Sequence, residues 1–183
     1  MKKTLTLCIA VITLNLTGCS TVGHFFGGLW PRGHESLQDR QSEKILQSHI
    51  QQCEQGKVAE DCIRAGSIYE LRGGDNDARA MDFYRKALAL NSPEAPQAIG
   101  HLYENGYGVT QSYREAHRWY EKGAQAGDGN AMLYLANMYR FGRGVDRNSR
   151  KALQYARQGC KKGNILACAT QKELQKTVRK NPA

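Results

Sequence analysis

The stretch Ala95 to Asn130, APQAIGHLYENGYGVTQSYREAHRWYEKGAQAGDGN, is followed at once by Ala131 to Leu166, AMLYLANMYRFGRGVDRNSRKALQYARQGCKKGNIL. The second repeats the first at an offset of 36 residues. Ala95 matches Ala131, Ile99 matches Leu135, Gly100 matches Ala136 and Tyr103 matches Tyr139. Gly106, Gly108 and Val109 match Gly142, Gly144 and Val145, and Ala116, Trp119 and Gly127 match Ala152, Tyr155 and Gly163. A period of this length means a stacked array, because one unit cannot bury its own apolar face.

Within one unit, Ala95, Ala98, Ile99, Leu102 and Tyr103 follow the spacing of a single helical face. Asn105-Gly106-Tyr107-Gly108 breaks that helix, since glycine takes the left-handed conformation that ends it. Gln111 or Ser112 starts a second helix with the stripe Ala116, Trp119, Tyr120 and Gly123. Gly127 ends it, and Asp128 or Asn130 caps the next. Small residues at Ala98, Gly100, Ala116 and Gly123 allow close helix approach. Tyr103, Trp119 and Tyr120 are expected to fill the layers between.

The pattern A-x-x-x-[LI]-[GA]-x-x-Y-x-x-G-x-G-V, then A-x-x-[WY] and a closing Gly, resembles the Sel1-like repeat, a relative of the tetratricopeptide repeats with slightly longer units. Two units match well and a third in part, so the resemblance covers Glu60 to Glu173. It implies an all-α fold: a right-handed α-solenoid of stacked antiparallel helix pairs with about eight helices. It also implies an adaptor that presents a concave face to another macromolecule. The candidate partner-binding residues lie on the non-core side of the first helices. They are Ile63, Ser67 and Glu70, then Gln97, His101 and Glu104, then Leu133, Asn137 and Arg140. No cofactor and no metal site is expected.

The rest of the chain frames these units. Residues 1–18 read as a lipoprotein signal peptide, with Lys2 and Lys3 before an apolar run from Leu5 to Leu16 that is too short to span a bilayer comfortably. Leu16-Thr17-Gly18-Cys19 resembles the bacterial lipobox, which is cut before a cysteine that then carries lipid, so Cys19 is the expected lipidation site. Ser20 after it points to the outer membrane, with the protein facing the periplasm. One acyl chain anchors marginally and two anchor stably. Residues 19–36 form a lipidated tether, whose Phe25, Phe26 and Trp30 rest either on the membrane interface or on the first repeat. Residues 37–57 read as an N-terminal capping helix, with Leu37, Ile45, Leu46, Ile50 and Cys53 on or near one stripe. Residues 58–94 are a degenerate first repeat with inward Ala65, Ile68, Tyr69, Ala80, Tyr84 and Ala87. Its turn, Leu71 to Asn76, lacks Gly-x-Gly-Val. Repeats two and three occupy 95–130 and 131–164. Residues 165–183 form a C-terminal capping helix and tail, with Ala167, Cys168 and Leu174 inward and Lys172, Lys176, Arg179 and Lys180 outward.

The net charge of +9, from 26 basic and 17 acidic side chains, favours anionic lipid, cell-wall polymer or an acidic protein face. An exported chain does not meet nucleic acid. Of the six cysteines, Cys8 leaves with the signal and Cys19 takes lipid. Cys160 and Cys168 join the end of one helix to the start of the next, and Cys53 and Cys62 occupy the corresponding earlier junction. Some Sel1-like proteins carry disulfides there, so the resemblance implies the bridges Cys53–Cys62 and Cys160–Cys168, which a periplasm permits. The rival is a four-cysteine metal site, disfavoured because the pairs sit at opposite ends of the array.

Catalytic patterns are missing. The sequence has no Ser-x-x-Lys, Gly-x-Ser-x-Gly or His-Glu-x-x-His. Gly106-x-Gly108 and Gly142-x-Gly144 lack the third glycine and preceding strand of a phosphate loop. His24, His34, His49, His101 and His117 show no metal spacing, and His101 reads as a surface residue. The chain therefore reads as a non-enzyme: a lipid-anchored periplasmic adaptor that binds another protein in envelope assembly, secretion or signalling. A peptidoglycan-binding module is the alternative. A hydrolase of β-lactams or cell-wall peptides comes third, without a nucleophile to support it.

Overall fold

The computed structural model describes residues 37–180. The expected signal peptide, lipidation site Cys19 and tether lie outside the described residues. From Gln41 onward the helical array forms one compact unit. The helices are α1 (Leu37–Glu54), α2 (Ala59–Arg72), α3 (Asp77–Ala89), α4 (Ala95–Asn105), α5 (Tyr113–Gln125), α6 (Gly129–Phe141), α7 (Ser149–Lys161) and α8 (Ile165–Lys180), with a 3-10 turn at Gly74–Asn76. No strand occurs among the described residues. The pairs α2/α3, α4/α5 and α6/α7 are three stacked units of an all-α solenoid, and α8 packs on α7 and α6.

Local chemistry sets the helix ends. Gly106 and Gly142 adopt left-handed φ values of 76° and 72°, and their N–H groups return to the carbonyls of Leu102 and Met138. The side chains of Ser112 and Asn148 accept from the N–H groups of Glu115 and Lys151, and Asp128 accepts from Asn130. Each cap satisfies a donor that the helix itself leaves open.

The second glycine of each Gly-x-Gly has a different task. A Cβ on Gly108 would sit 2.8 Å from the backbone where α3 begins, at Asp77 and Ala78. One on Gly144 would sit 2.6 Å from Cβ of Tyr113, where α5 begins. The loop of each unit thus lies on the start of the previous unit's second helix. In the first unit a 3-10 turn takes the loop's place, and a Cβ on Gly73 or Gly74 would meet nothing within 4 Å.

The core runs through the units. Leu46, Ala65, Tyr69, Tyr84, Ile99 and Leu102 share one cluster, Ala116, Tyr120, Leu135 and Met138 a second, and Ala136, Tyr139, Ala152, Leu153 and Leu174 a third. Where units cross, small residues meet. A Cβ on Gly123 would lie 2.8 Å from that of Ala131, and one on Gly159 would lie 2.8 Å from that of Ala167. The two ends of the array are bridged, Cys53 to Cys62 between α1 and α2, and Cys160 to Cys168 between α7 and α8.

Some expected core positions are corrected. Leu37 and Ile45 are exposed, while Leu46, Ile50 and Cys53 face inward. Those three are spaced by four and three residues, and Ile45 is turned about 100° away from Leu46 around the helix. Tyr103 and Trp119 are only partly buried. The Trp119 ring meets the surface ammonium of Lys122 at 4.0 Å from its centroid, so only part of it reaches the core.

Candidate functional site

The site starts from a glycine. Gly66 on α2 leaves room for the ring of Tyr84 from α3, since a Cβ there would lie 2.5 Å from that ring. The ring position fixes the hydroxyl. Tyr84 Oη donates to Glu70 Oε2 at 2.6 Å and stands 3.3 Å from Ser67 Oγ. The other oxygen of Glu70 meets Nδ1 of His101, from α4 in the next unit, at 2.6 Å. The second unit repeats the device: Tyr120 Oη donates to Glu104 at 2.6 Å, and Arg143 reaches the other Glu104 oxygen at 3.3 Å. Tyr134 of α6 stacks on Tyr120 at 4.8 Å and approaches the His101 ring at 6.1 Å.

The electrostatics follow from these contacts. The hydrogen bond to the Glu70 carboxylate holds the His101 imidazole above its usual pKa, against the opposing effect of burial. Burial alone would raise Glu70, but hydrogen bonds from His101 and Tyr84 bring it below the usual carboxylate value. When the imidazole is protonated, its Nδ1–H donates to Glu70 and the two groups form an ion pair. Burial and then the carboxylate acceptors push the Tyr84 and Tyr120 hydroxyls upward, so both stay protonated donors.

These side chains border a cleft of about 200 Å³ across the first helices, lined by Ile63, Ser67, Glu70, Gln97, His101 and Tyr134, with Glu94 and Asn130 at its edge. A second hollow of about 600 Å³ shares Ser67, Glu70 and His101 and extends to Leu71 and Tyr107. Five of the nine residues expected to bind a partner therefore meet in one place. Glu104 stands apart, engaged with Tyr120 and Arg143. Leu133 and Asn137 do not line the cleft, and Arg140 is drawn to Glu173 of α8 at 2.9 Å. His101 is not the plain surface residue expected: it is half-buried and hydrogen-bonded to Glu70.

Tyr134, Asn130 and Glu94 were not singled out by helical spacing. One signal pointed to Tyr134, a large aromatic at the position where the second unit carries Ala98. Asn130 accepts from Asn164 Nδ2 at 2.7 Å, so its carbonyl side is held. The cleft offers carboxylates, an imidazole, amides and tyrosine faces, which are groups that hydrogen-bond and stack. Among the described residues, no cluster of three His, Cys, Asp or Glu could hold a metal ion. No described helix is long and apolar enough to cross a membrane.

The Sel1 repeat model matches at residues 59–92, 95–128 and 129–164, which is more than half of the chain. The chain belongs to the Sel1-repeat family. Sel1 repeats generally mediate protein–protein interaction, and the family is generally a non-catalytic scaffold fold. Among solved structures, a protective antigen present in uropathogenic Escherichia coli strains, with an SLR fold, is similar at a TM-score of 0.67 and 25% identity, over 74% of this chain and 29% of the other. A Sel1 repeat protein from Oxalobacter formigenes is similar at a TM-score of 0.63 and 27% identity, over 72% and 54%. The cysteine rich protein B of Helicobacter pylori shares the fold at a TM-score of 0.55 and 24% identity, over 75% and 98%. The chain thus spans less than two thirds of the first two Sel1-type structures. No curated protein matches it.

Proposed function

We propose that this chain is a lipid-anchored adaptor on the periplasmic side of the outer membrane, which binds a segment of another protein through the first-helix cleft and serves envelope assembly, secretion or signalling. The observation that carries the binding is the meeting of Glu70, Gln97, His101 and Tyr134, from three consecutive units, around one cleft. Its lining is largely polar and open to solvent, which suits a polypeptide better than a small apolar ligand, whose sites are mostly apolar and enclosed. Leu16-Thr17-Gly18-Cys19 supports the anchor. The two disulfides suit an oxidising compartment.

Capture from envelope extract, with and without muramidase digestion, tests the adaptor. The expected result is one protein held in both conditions and lost when His101→Ala and Tyr134→Ala are combined. Retention that depends on intact wall polymer instead supports the second reading, peptidoglycan binding, which the basic helices α7 and α8 favour. The anchor is tested by labelled palmitate: Cys19→Ala is expected to abolish incorporation and leave an unprocessed precursor, and equal labelling of that variant removes the lipoprotein reading.

A further inference from the structure

Among the described residues, one groove of the Sel1 array is left open. Between α5 and α6, the groove floored by His117 and Tyr139 is closed by the next helix: the Tyr155 ring of α7 stacks on Tyr139 at 5.7 Å, and Lys151 Nζ lies 5.1 Å from the same ring centroid. One unit earlier, Trp119 of α5 packs against the cluster that includes Met81 and Leu102. The equivalent groove between α7 and α8 has no following helix among the described residues. It is a cavity of about 480 Å³ with Leu153 and Val178 in its floor and Arg150, Arg157 and Lys161 among its walls.

The charge of this end is one-sided. Nine residues between Ser149 and Lys180 are Lys or Arg, and one, Glu173, is acidic and already paired with Arg140. These two helices therefore hold nearly all of the chain's net charge of +9. A second copy related by a twofold axis would bring the same positive end and be repelled. A regular fourth-unit helix does not fit either. Lys172 stands on α8 where Gly100 and Ala136 stand on α4 and α6, so the occupant cannot come as close as α5 and α7 do. What remains is a helix held less tightly, by an apolar stripe on the floor and by acidic flanks on the basic walls.

We propose that the groove between α7 and α8 is a second docking site, which takes an acidic amphipathic helix of a partner protein along the face that no described helix covers. It is separate from the first-helix cleft and stands whether or not that cleft binds protein.

The probe is a synthetic amphipathic peptide with Leu and Ala at helical spacing and Glu on its flanks, labelled for fluorescence anisotropy with the full-length protein. Binding is expected at low salt. Arg157→Glu with Lys161→Glu, both exposed on α7, is expected to weaken it about tenfold or more. Val178→Gln, which changes no charge, is expected to weaken it as well, and His101→Ala to leave it unchanged. A thermal melt of each variant confirms folding. Equal affinity for a scrambled peptide of the same composition, or an unchanged affinity in Val178→Gln, overturns the proposal, because the surface is then only a polyanion trap. Binding to phosphatidylglycerol vesicles or muropeptides with the same Arg157 and Lys161 dependence, but none to the peptide, overturns it in favour of those surfaces.

Discussion

The ring of Tyr120 occupies the space where a side chain on Gly100 would begin: a Cβ at Gly100 would lie 2.7 Å from Cδ1 and Cε1 of that ring. Tyr84 stands over Gly66 in the same way, and each tyrosine hands its hydroxyl to a glutamate one turn further along the glycine's helix, Glu70 or Glu104. In the third unit all three positions differ together, as Ala136, Ala156 and Arg140. Without the ring there is room for a methyl group, and without the hydroxyl a half-buried carboxylate would lose its donor. Arginine stands there instead and pairs with Glu173.

Gly100→Ala is expected to destabilise the fold by about 1–3 kcal/mol through overpacking. Tyr120→Ala, in a fully buried position, should cost about 3–5 kcal/mol as a core aromatic. The double variant should cost clearly less than the sum, because each change relieves the defect made by the other. Urea denaturation of the four proteins measures this, and strict additivity would contradict the contact.

Gly108→Ala and Gly142→Ala separate backbone strain from packing. Both glycines have positive φ, 64° and 72°, so each substitution carries a backbone penalty of about 1 kcal/mol or more. A methyl on Gly142 would meet its neighbours no closer than 3.5 Å, whereas one on Gly108 would strike the backbone at the start of α3. A larger loss of Tm in Gly108→Ala is expected. Equal losses would mean that the loop does not rest on α3.

The Glu70–His101 pair makes stability depend on pH. The raised His101 pKa gives stability that is full below the unfolded value, about 6.5, and is lost as pH rises through the folded value. The lowered Glu70 pKa gives stability that is present above its unfolded value and is lost as pH falls through the folded one. Wild type should therefore exceed His101→Gln in stability most clearly between about pH 5 and 7, with the gap narrowing on either side. A gap of the same size at alkaline pH would sink the ion pair.

Each bridge closes a short loop near one end of the described array. Replacing Cys53 and Cys62 by serine, or Cys160 and Cys168, should cost roughly 2–3 kcal/mol by the loop-entropy relation. Losses should add, since the bridges are far apart. A melt of each double variant and of the quadruple variant checks both claims.

The sequence by itself determined the unit, its period and its punctuation. Gly106 and Gly142, Ser112, Asp128 and the alanine stripes act within one helix or across one turn, and such short-range rules are written in spacing. The cysteine pairs were legible because their partners sit across a single junction. Only the tertiary structure decided which side chains share the cleft. Helical spacing says which face of α4 His101 occupies, but not that Glu70 of the previous unit and Tyr134 of the next lie beside it. That register is set by how closely the helices approach, through the seating of Tyr84 on Gly66 and Tyr120 on Gly100. Arg140 shows the same limit from the other side. Spacing puts it on the face of Glu70 and Glu104, yet Glu173 on a different helix turns it away from the cleft, because a charge goes to the nearest opposite charge and not to the face its neighbours share.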